Sequence, residues 1–156
     1  ILRKILIAYY SHSANTKRLA KLISNKVNGE LFKIEAENAY PVNYNEVVER
    51  AKKEIKEGYN PDLKIQVKNI EQYDTIFIGT PNWWNSIAPP VVTFLKSIDF
   101  DEKKVIPFCT HGGGGFGSIE AQMKKLCKNA TVLEGFAAYG GTSNELQLEE
   151  WLKKVD

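Results

Sequence analysis

The chain's 156 residues, 43% hydrophobic and 26% charged, supply enough apolar content for one buried core, and the span 1–156 reads as a single soluble domain. No apolar run is long enough to cross a bilayer, and the net charge of +2 comes from 21 Lys and Arg residues mixed with acids in stretches such as Ala51–Glu57, which read as a solvated helix face and not a nucleic-acid patch. Cys109 and Cys127 have neither CxxC spacing nor metal-ligand spacing with the two histidines, which points to a reduced protein in the cytoplasm.

The chain opens almost at once into a strand: Lys4–Tyr10 is apolar, β-branched and aromatic, as expected of a strand buried on both faces. Small polar residues break it at Ser11–Thr16, and Leu19, Ala20, Leu22, Ile23 and Val27 then recur at helical spacing up to an Asn28-Gly29 stop. Residues 30–35 read as a second strand, and residues 36–44, polar and holding Pro41, as a loop. Val47, Val48, Ala51 and Ile55 mark an amphipathic helix ending near Gly58. Between Pro61 and Gln72, Leu63, Ile65 and Val67 alternate, a pattern that suits a strand or an extended connection. Tyr73–Gly79 is a third, buried strand, and Pro89 and Pro90 open a helix with Val92, Leu95 and Ile98 on its apolar face. Lys104–Thr110 is a fourth strand, followed by a helix carrying Ile119, Met123 and Leu126, then a fifth strand over residues 130–137 and a closing helix over Glu145–Val155. Such alternation predicts a doubly wound α/β sheet with parallel strands and right-handed crossovers, in which ligands sit beyond the carboxyl ends of the strands. The three unusual loops, residues 11–16, 80–86 and 110–117, all follow strands and are expected to meet on one edge.

Each loop carries its own chemistry. Ser11, Ser13, Asn15 and Thr16 set short polar side chains beside the unpaired N–H groups of a helix start, where the dipole also favours an anion, so the first loop reads as a monoester phosphate site. The alternative is that Ser13 or Asn15 merely caps the helix. In the second loop, Pro81 fixes a turn holding Trp83 and Trp84 between Asn82 and Asn85; indoles there would cover a planar ring system, though one of the two is expected to pack as ordinary core. The third loop has four consecutive glycines, Gly112 to Gly115, which let a backbone pass close to a ligand with its N–H groups turned inward; the alternative is a merely flexible loop. His111 beside them is a candidate donor to a ligand, and Cys109 reads as core. Other phosphate chemistries fit poorly. Gly-Lys-Ser/Thr of a Walker loop is missing, the glycine run lacks the partner acid of a dinucleotide fingerprint, and Gly115 stands where a small cysteine phosphatase would need Arg.

The stretch Ile7-Ala8-Tyr9-Tyr10-Ser11-His12-Ser13-Ala14-Asn15-Thr16, with Ala20 and Ile23 beyond it, is similar to the flavodoxin signature, and the chain resembles the flavodoxin-like family over nearly its whole length. Gly79-Thr80-Pro81-Asn82-Trp83-Trp84 and Thr110-His111-Gly112-Gly113-Gly114-Gly115 resemble the ring-binding loops of a subgroup. The resemblance implies a three-layer sandwich around a five-stranded parallel sheet of order 2-1-3-4-5 and one noncovalent FMN. It further implies that Ser11, Ser13, Asn15 and Thr16, with the N–H groups of His12 and Ala14, hold the phosphate. Trp84, or else Trp83, would stack on the isoalloxazine, and the backbone around Thr80–Asn85 and Thr110–Gly115 would meet its polar edge. Soluble carriers of this family are generally strongly acidic, and this chain departs from that pattern.

Three functions follow as expectations. The protein is an electron carrier between protein partners, or a flavin or quinone reductase fed by NAD(P)H, or a cofactor-free binding module that kept the fold. In the second, His111 is the candidate catalytic donor.

Overall fold

Alternation of side chains along Ile5–Tyr9 (β1) divides the core in two: Leu6 and Ala8 pack on one face of the sheet, Ile7 and Tyr9 on the other. The same division runs through Thr75–Trp83 (β3), where Ile76 and Ile78 oppose Phe77, and Lys104–His111 (β5), where Val105 and Cys109 oppose Ile106 and Phe108. A strand apolar on both faces must be covered on both, and the helices do this. Asn15–Val27 (α1) and Glu145–Val155 (α5) bring Leu19, Ile23, Leu148 and Trp151 to one face. Tyr44–Glu57 (α2), Pro89–Lys96 (α3) and Ile119–Leu126 (α4) bring Val47, Phe94 and Met123 to the other. The structure, a computed structural model, describes residues 4–139 and 145–155; the opening residues 1–3 lie outside the described residues.

The helices stop where their residues dictate. Asn43 caps α2 by accepting from Glu46 N–H at 3.2 Å, and Gly58 closes it in the left-handed conformation at φ 68°. Asn28 ends α1 the same way at φ 54°, and Pro89 sits in the first turn of α3. Residues 61–69 form a connection with bends and no strand, tied down by an antiparallel bridge between Ala36 and Leu63 and by the Thr93 hydroxyl donating to Pro61 O at 2.6 Å, and a 3-10 turn, Ile70–Gln72, leads into β3.

The sheet follows the path β2-β1-β3-β5-β6, with Glu30–Lys33 as β2 and Thr131–Val132 as β6, all neighbours parallel. This is the expected five-strand path with two additions, which raise the strand count to seven. First, Ser86–Ile87 (β4) folds back antiparallel on the end of β3, so residues 80–83 of the expected loop belong to a strand. Second, the last strand is split into β6 and Phe136–Tyr139 (β7), both paired with β5. Val105 pairs Val132 and Phe108 pairs Phe136, so three steps along β5 answer four along its neighbour, a bulge. Pro107 explains it. Leu133 N–H donates to Val105 O at 2.9 Å, so position 105 and, two residues on, Pro107 face this neighbour, and Pro107 has no N–H to give.

Candidate functional site

The first loop is a turn left open at a helix start. Tyr10 N–H still bonds Gly79 O at 3.1 Å, after which residues 11–14 turn into α1. The residue at the cap position is Ala14, in the left-handed conformation at φ 71°, and no side chain caps the helix, so neither Ser13 nor Asn15 performs that duty. The first-turn N–H groups therefore keep their unpaired character and the positive end of the dipole. Ser11 Oγ is buried without a hydrogen-bond partner, the only such side-chain atom among the described residues. Ser13 is exposed and Asn15 half-buried. Thr16 is buried, and its hydroxyl lies 2.8 Å from that of Thr110, joining the first loop to the root of the third.

The second segment is a hairpin. Asn82 pairs with Ile87 and Trp83 with Ser86, leaving Trp84 and Asn85 as a two-residue turn with φ 54° and 61°, both positive as a type I′ connection requires. Asn tolerates that conformation; for a bulky Trp it is strained. The two indoles have different surroundings. Trp83 is half-buried, edge-on to Tyr10 at 5.5 Å and Tyr40 at 5.3 Å, whereas Trp84 is 51% exposed, its Nε1 donating to Val48 O at 3.2 Å beneath the Lys52 ammonium. The Thr80 hydroxyl is buried and satisfied within the hairpin, accepting from Ala88 N–H at 3.0 Å and donating to Pro81 O at 2.8 Å. Asn82 Nδ2 donates to Gly115 O at 2.8 Å, and Asn85 Oδ1 accepts Ser118 N–H at 3.2 Å while Ser118 Oγ donates to Asn85 O.

In the third loop His111 ends β5, and its Nδ1 accepts Gly113 N–H at 3.0 Å, so Nδ1 is unprotonated and the ring proton sits on Nε2. The imidazole also stands edge-on to Tyr139 at 5.7 Å. Gly112, Gly113 and Gly114 are exposed, and Gly113 and Gly115 have φ 131° and 64°. Gly117, at φ 54°, is required outright: a Cβ there would stand 1.6 Å from Asn85 Oδ1. Cys109 is core, and burial pushes its thiol up to about 12.

The three loops thus meet on one edge through bonds between Thr16 and Thr110, Asn82 and Gly115, and Asn85 and Ser118. The same edge holds residues that sequence reasoning did not assign to it. Two adjoining cavities, of about 660 and 340 Å³, share His12, Ser13 and Tyr44 in their walls. The larger extends to Tyr40 and the end of β2; the smaller runs from His12 and Ser13 past Val47, Val48 and Ala51 of α2 to Trp83 and Trp84. Beneath them Glu54, placed by the sequence pattern on a solvated helix face, is 7% exposed. It accepts from Tyr40 OH and from Arg50 Nε, the latter at 3.2 Å. The i,i+4 Arg50–Glu54 spacing was the visible signal, but it reads equally as a surface pair.

A family model described as Flavodoxin matches residues 4–155. Among solved structures, a presumed flavoprotein of Bacteroides eggerthii is 29% identical with a TM-score of 0.87, covering 99% of this chain and 98% of its own. A presumed flavoprotein of Bacteroides uniformis is 30% identical with a TM-score of 0.85, covering 97% and 98%. A flavoprotein from Lactobacillus acidophilus NCFM, solved in complex with FMN, shares the fold at 22% identity with a TM-score of 0.79, covering 97% and 99%. No protein of curated function matches the chain.

Proposed function

Because the chain belongs to the flavodoxin family, we propose that it is an electron carrier, a single FMN-binding domain that exchanges electrons with a protein partner. The observation that carries the cofactor reading is the Ser11 hydroxyl, buried without a partner beside a helix start that no side chain caps. A phosphate monoester accepts from both. Ser11, Ser13, Asn15 and the N–H groups of His12 and Ala14 are the phosphate ligands in this reading, and Thr16 contributes by bracing the loop against Thr110. Trp84, exposed and apolar, is the surface for the isoalloxazine, while Trp83 is held in the aromatic cluster behind it. Of the backbone of Thr80–Asn85 and Thr110–Gly115, residues 80–83 and 110–111 lie in paired strands, and Asn85 O, Gly115 O and Gly113 N–H are bonded to Ser118, Asn82 and His111, so in this reading the remaining groups of the hairpin turn and of Gly112–Gly115 meet the ring's polar edge.

When bound, FMN supplies the redox chemistry; the chain binds it, orients it and limits water around it. An exposed apolar rim supports a protein as the partner: Val42, Tyr44, Trp84 and Tyr139 are 95%, 76%, 51% and 61% exposed at the loop edge. The second reading, an NAD(P)H-dependent flavin or quinone reductase, is favoured by one observation. The net charge of +2 departs from the strongly acidic balance that docking to a basic reductase would use. In that reading the Nε2–H of His111 is the candidate donor.

One experiment separates these. The protein is reconstituted with FMN, desalted, and mixed anaerobically with NADPH. A retained flavin spectrum that stays oxidised is the expected result for a carrier. Bleaching by NADPH would make the protein a reductase, and loss of all flavin on desalting would overturn the cofactor assignment.

A further inference from the structure

The segment Asn38–Pro41 is fastened at every residue. Arg50, on α2, has all three guanidinium nitrogens engaged. Nη2 donates to Asn38 O at 3.1 Å, Nη1 to Ala39 O at 3.0 Å and Nε to the buried Glu54 at 3.2 Å. Its plane also lies 4.0 Å over the ring of Tyr40, whose hydroxyl donates to the same carboxylate. The next residue, Pro41, accepts from His12 Nε2–H at 2.9 Å. Tyr40 precedes a proline and is restricted to extended backbone, so the four residues form a stiff strap. One end is held by α2 and the other holds the side chain of His12.

His12 lies in the middle of the first loop, between Ser11 and Ser13. Among the described residues its ring is anchored by the strap and by an edge contact with Trp83 at 6.2 Å. The position of its backbone N–H therefore depends on where Pro41 O stands, and Pro41 stands where Arg50 holds the residues before it. We propose that Arg50 is a positioning residue for the phosphate of the cofactor, acting through the Asn38–Pro41 strap and His12, and that it sets the preference for a phosphorylated flavin over an unphosphorylated one. The inference rests on the FMN reading above. Its chemistry is specific to arginine: a planar fork reaches two carbonyls and a carboxylate at once, which a lysine ammonium on one stem does not.

The test titrates apoprotein with FMN and with riboflavin, which has the same ring and no phosphate, following flavin fluorescence. Four proteins are compared: wild type, Arg50→Lys, His12→Ala and the double variant. Arg50→Lys weakens FMN by about three- to tenfold, the scale of one disturbed hydrogen bond, and leaves riboflavin within about twofold. In the His12→Ala background the same change has no further effect on FMN, because the link it acts through is gone. Equal losses for both flavins, an unchanged FMN affinity, or additive losses in the double variant would each overturn the inference. Glu54→Gln, which removes the charge holding Arg50 and leaves one acceptor oxygen where Tyr40 OH and Arg50 Nε now use two, shows the same bias toward FMN loss and provides a second variant if Arg50→Lys does not fold. A wild-type protein that holds neither flavin overturns the cofactor reading and this inference with it, and that result is read from the wild type alone.

Discussion

Replacing Ser11 with Ala should strengthen the empty protein and weaken it as a flavin binder. A buried hydroxyl without a partner costs about 1–3 kcal/mol relative to a satisfied one, and Ser11 Oγ is such a group. Deleting one oxygen leaves only a small void, so the apoprotein gains about 1 kcal/mol. For a domain of this size that raises the melting temperature by about 2–4 °C. With FMN the sign reverses: a hydrogen bond to a charged phosphate is worth about 1.5–3 kcal/mol, so the dissociation constant rises by about ten- to a hundredfold. Ligand stabilisation grows with the ratio of free ligand to dissociation constant, so the upward shift of melting temperature on adding FMN shrinks in the variant. Differential scanning calorimetry of the apo and FMN-loaded forms, with a calorimetric titration, reads both signs. An apo variant that melts below wild type, or an unchanged FMN affinity, would refute the reasoning, since either means that Ser11 already has a partner in the apoprotein or meets no phosphate.

Trp84→Ala changes apoprotein stability by no more than about 0.5 kcal/mol, because the indole is 51% exposed, but weakens FMN and riboflavin alike by about tenfold in a fluorescence titration. Gly79→Ala lowers stability by about 1–3 kcal/mol, seen as a lower urea midpoint, because its Cβ would sit 2.3 Å from two atoms of the fully buried Phe108 ring. Burial raises Tyr10, Tyr40, Tyr73 and both cysteines, with Tyr73 and Cys109 at about 12 and Cys127 at about 11. In the unfolded chain the thiols ionise near 9.0 and the phenols near 10.0, so above that range the folded state binds more protons. Stability therefore holds below about pH 9 and falls as pH rises toward 12, which a series of melts checks. In the folded protein neither thiol reacts with iodoacetamide at pH 8, and both react after unfolding, as mass spectrometry would show.

Much of this architecture was legible because single residues decide it. The first strand is a continuous apolar run, and the second helix ends at Gly58, whose left-handed cap is local chemistry. The hairpin was not legible. A two-residue turn with both φ values positive is announced in most sequences by Asn-Gly or Asp-Gly, and here the pair is Trp84-Asn85, its tip held by Val48 and Ser118 from outside. The split of the last strand was hidden for a similar reason, since its cause, Pro107, lies in the neighbouring strand. Glu54 was misread because the charged stretch around it reads as a solvated face, whereas Tyr40, from a loop distant in sequence, and Arg50 engage its carboxylate.

The distribution of satisfied polar groups separates scaffold from ligand end. On the hairpin and glycine-loop side, Thr80 is engaged with Pro81 and Ala88, Asn82 with Gly115, Asn85 with Ser118 and His111 with Gly113. That side is preorganised, and a ring entering it costs little ordering. On the first-loop side, Ser11 has no partner, Ala14 holds a left-handed turn, and the helix start has no side-chain cap. Yet the same loop is braced from both flanks, by Thr110 at Thr16 and by Pro41 at His12. A loop fixed from outside while its own donors stay unpaired is held ready for an anion it does not itself contain. If the proposed site holds FMN, altering the first loop should cost the preference for a phosphorylated ring and altering the hairpin the affinity for the ring itself, so the two should fail separately.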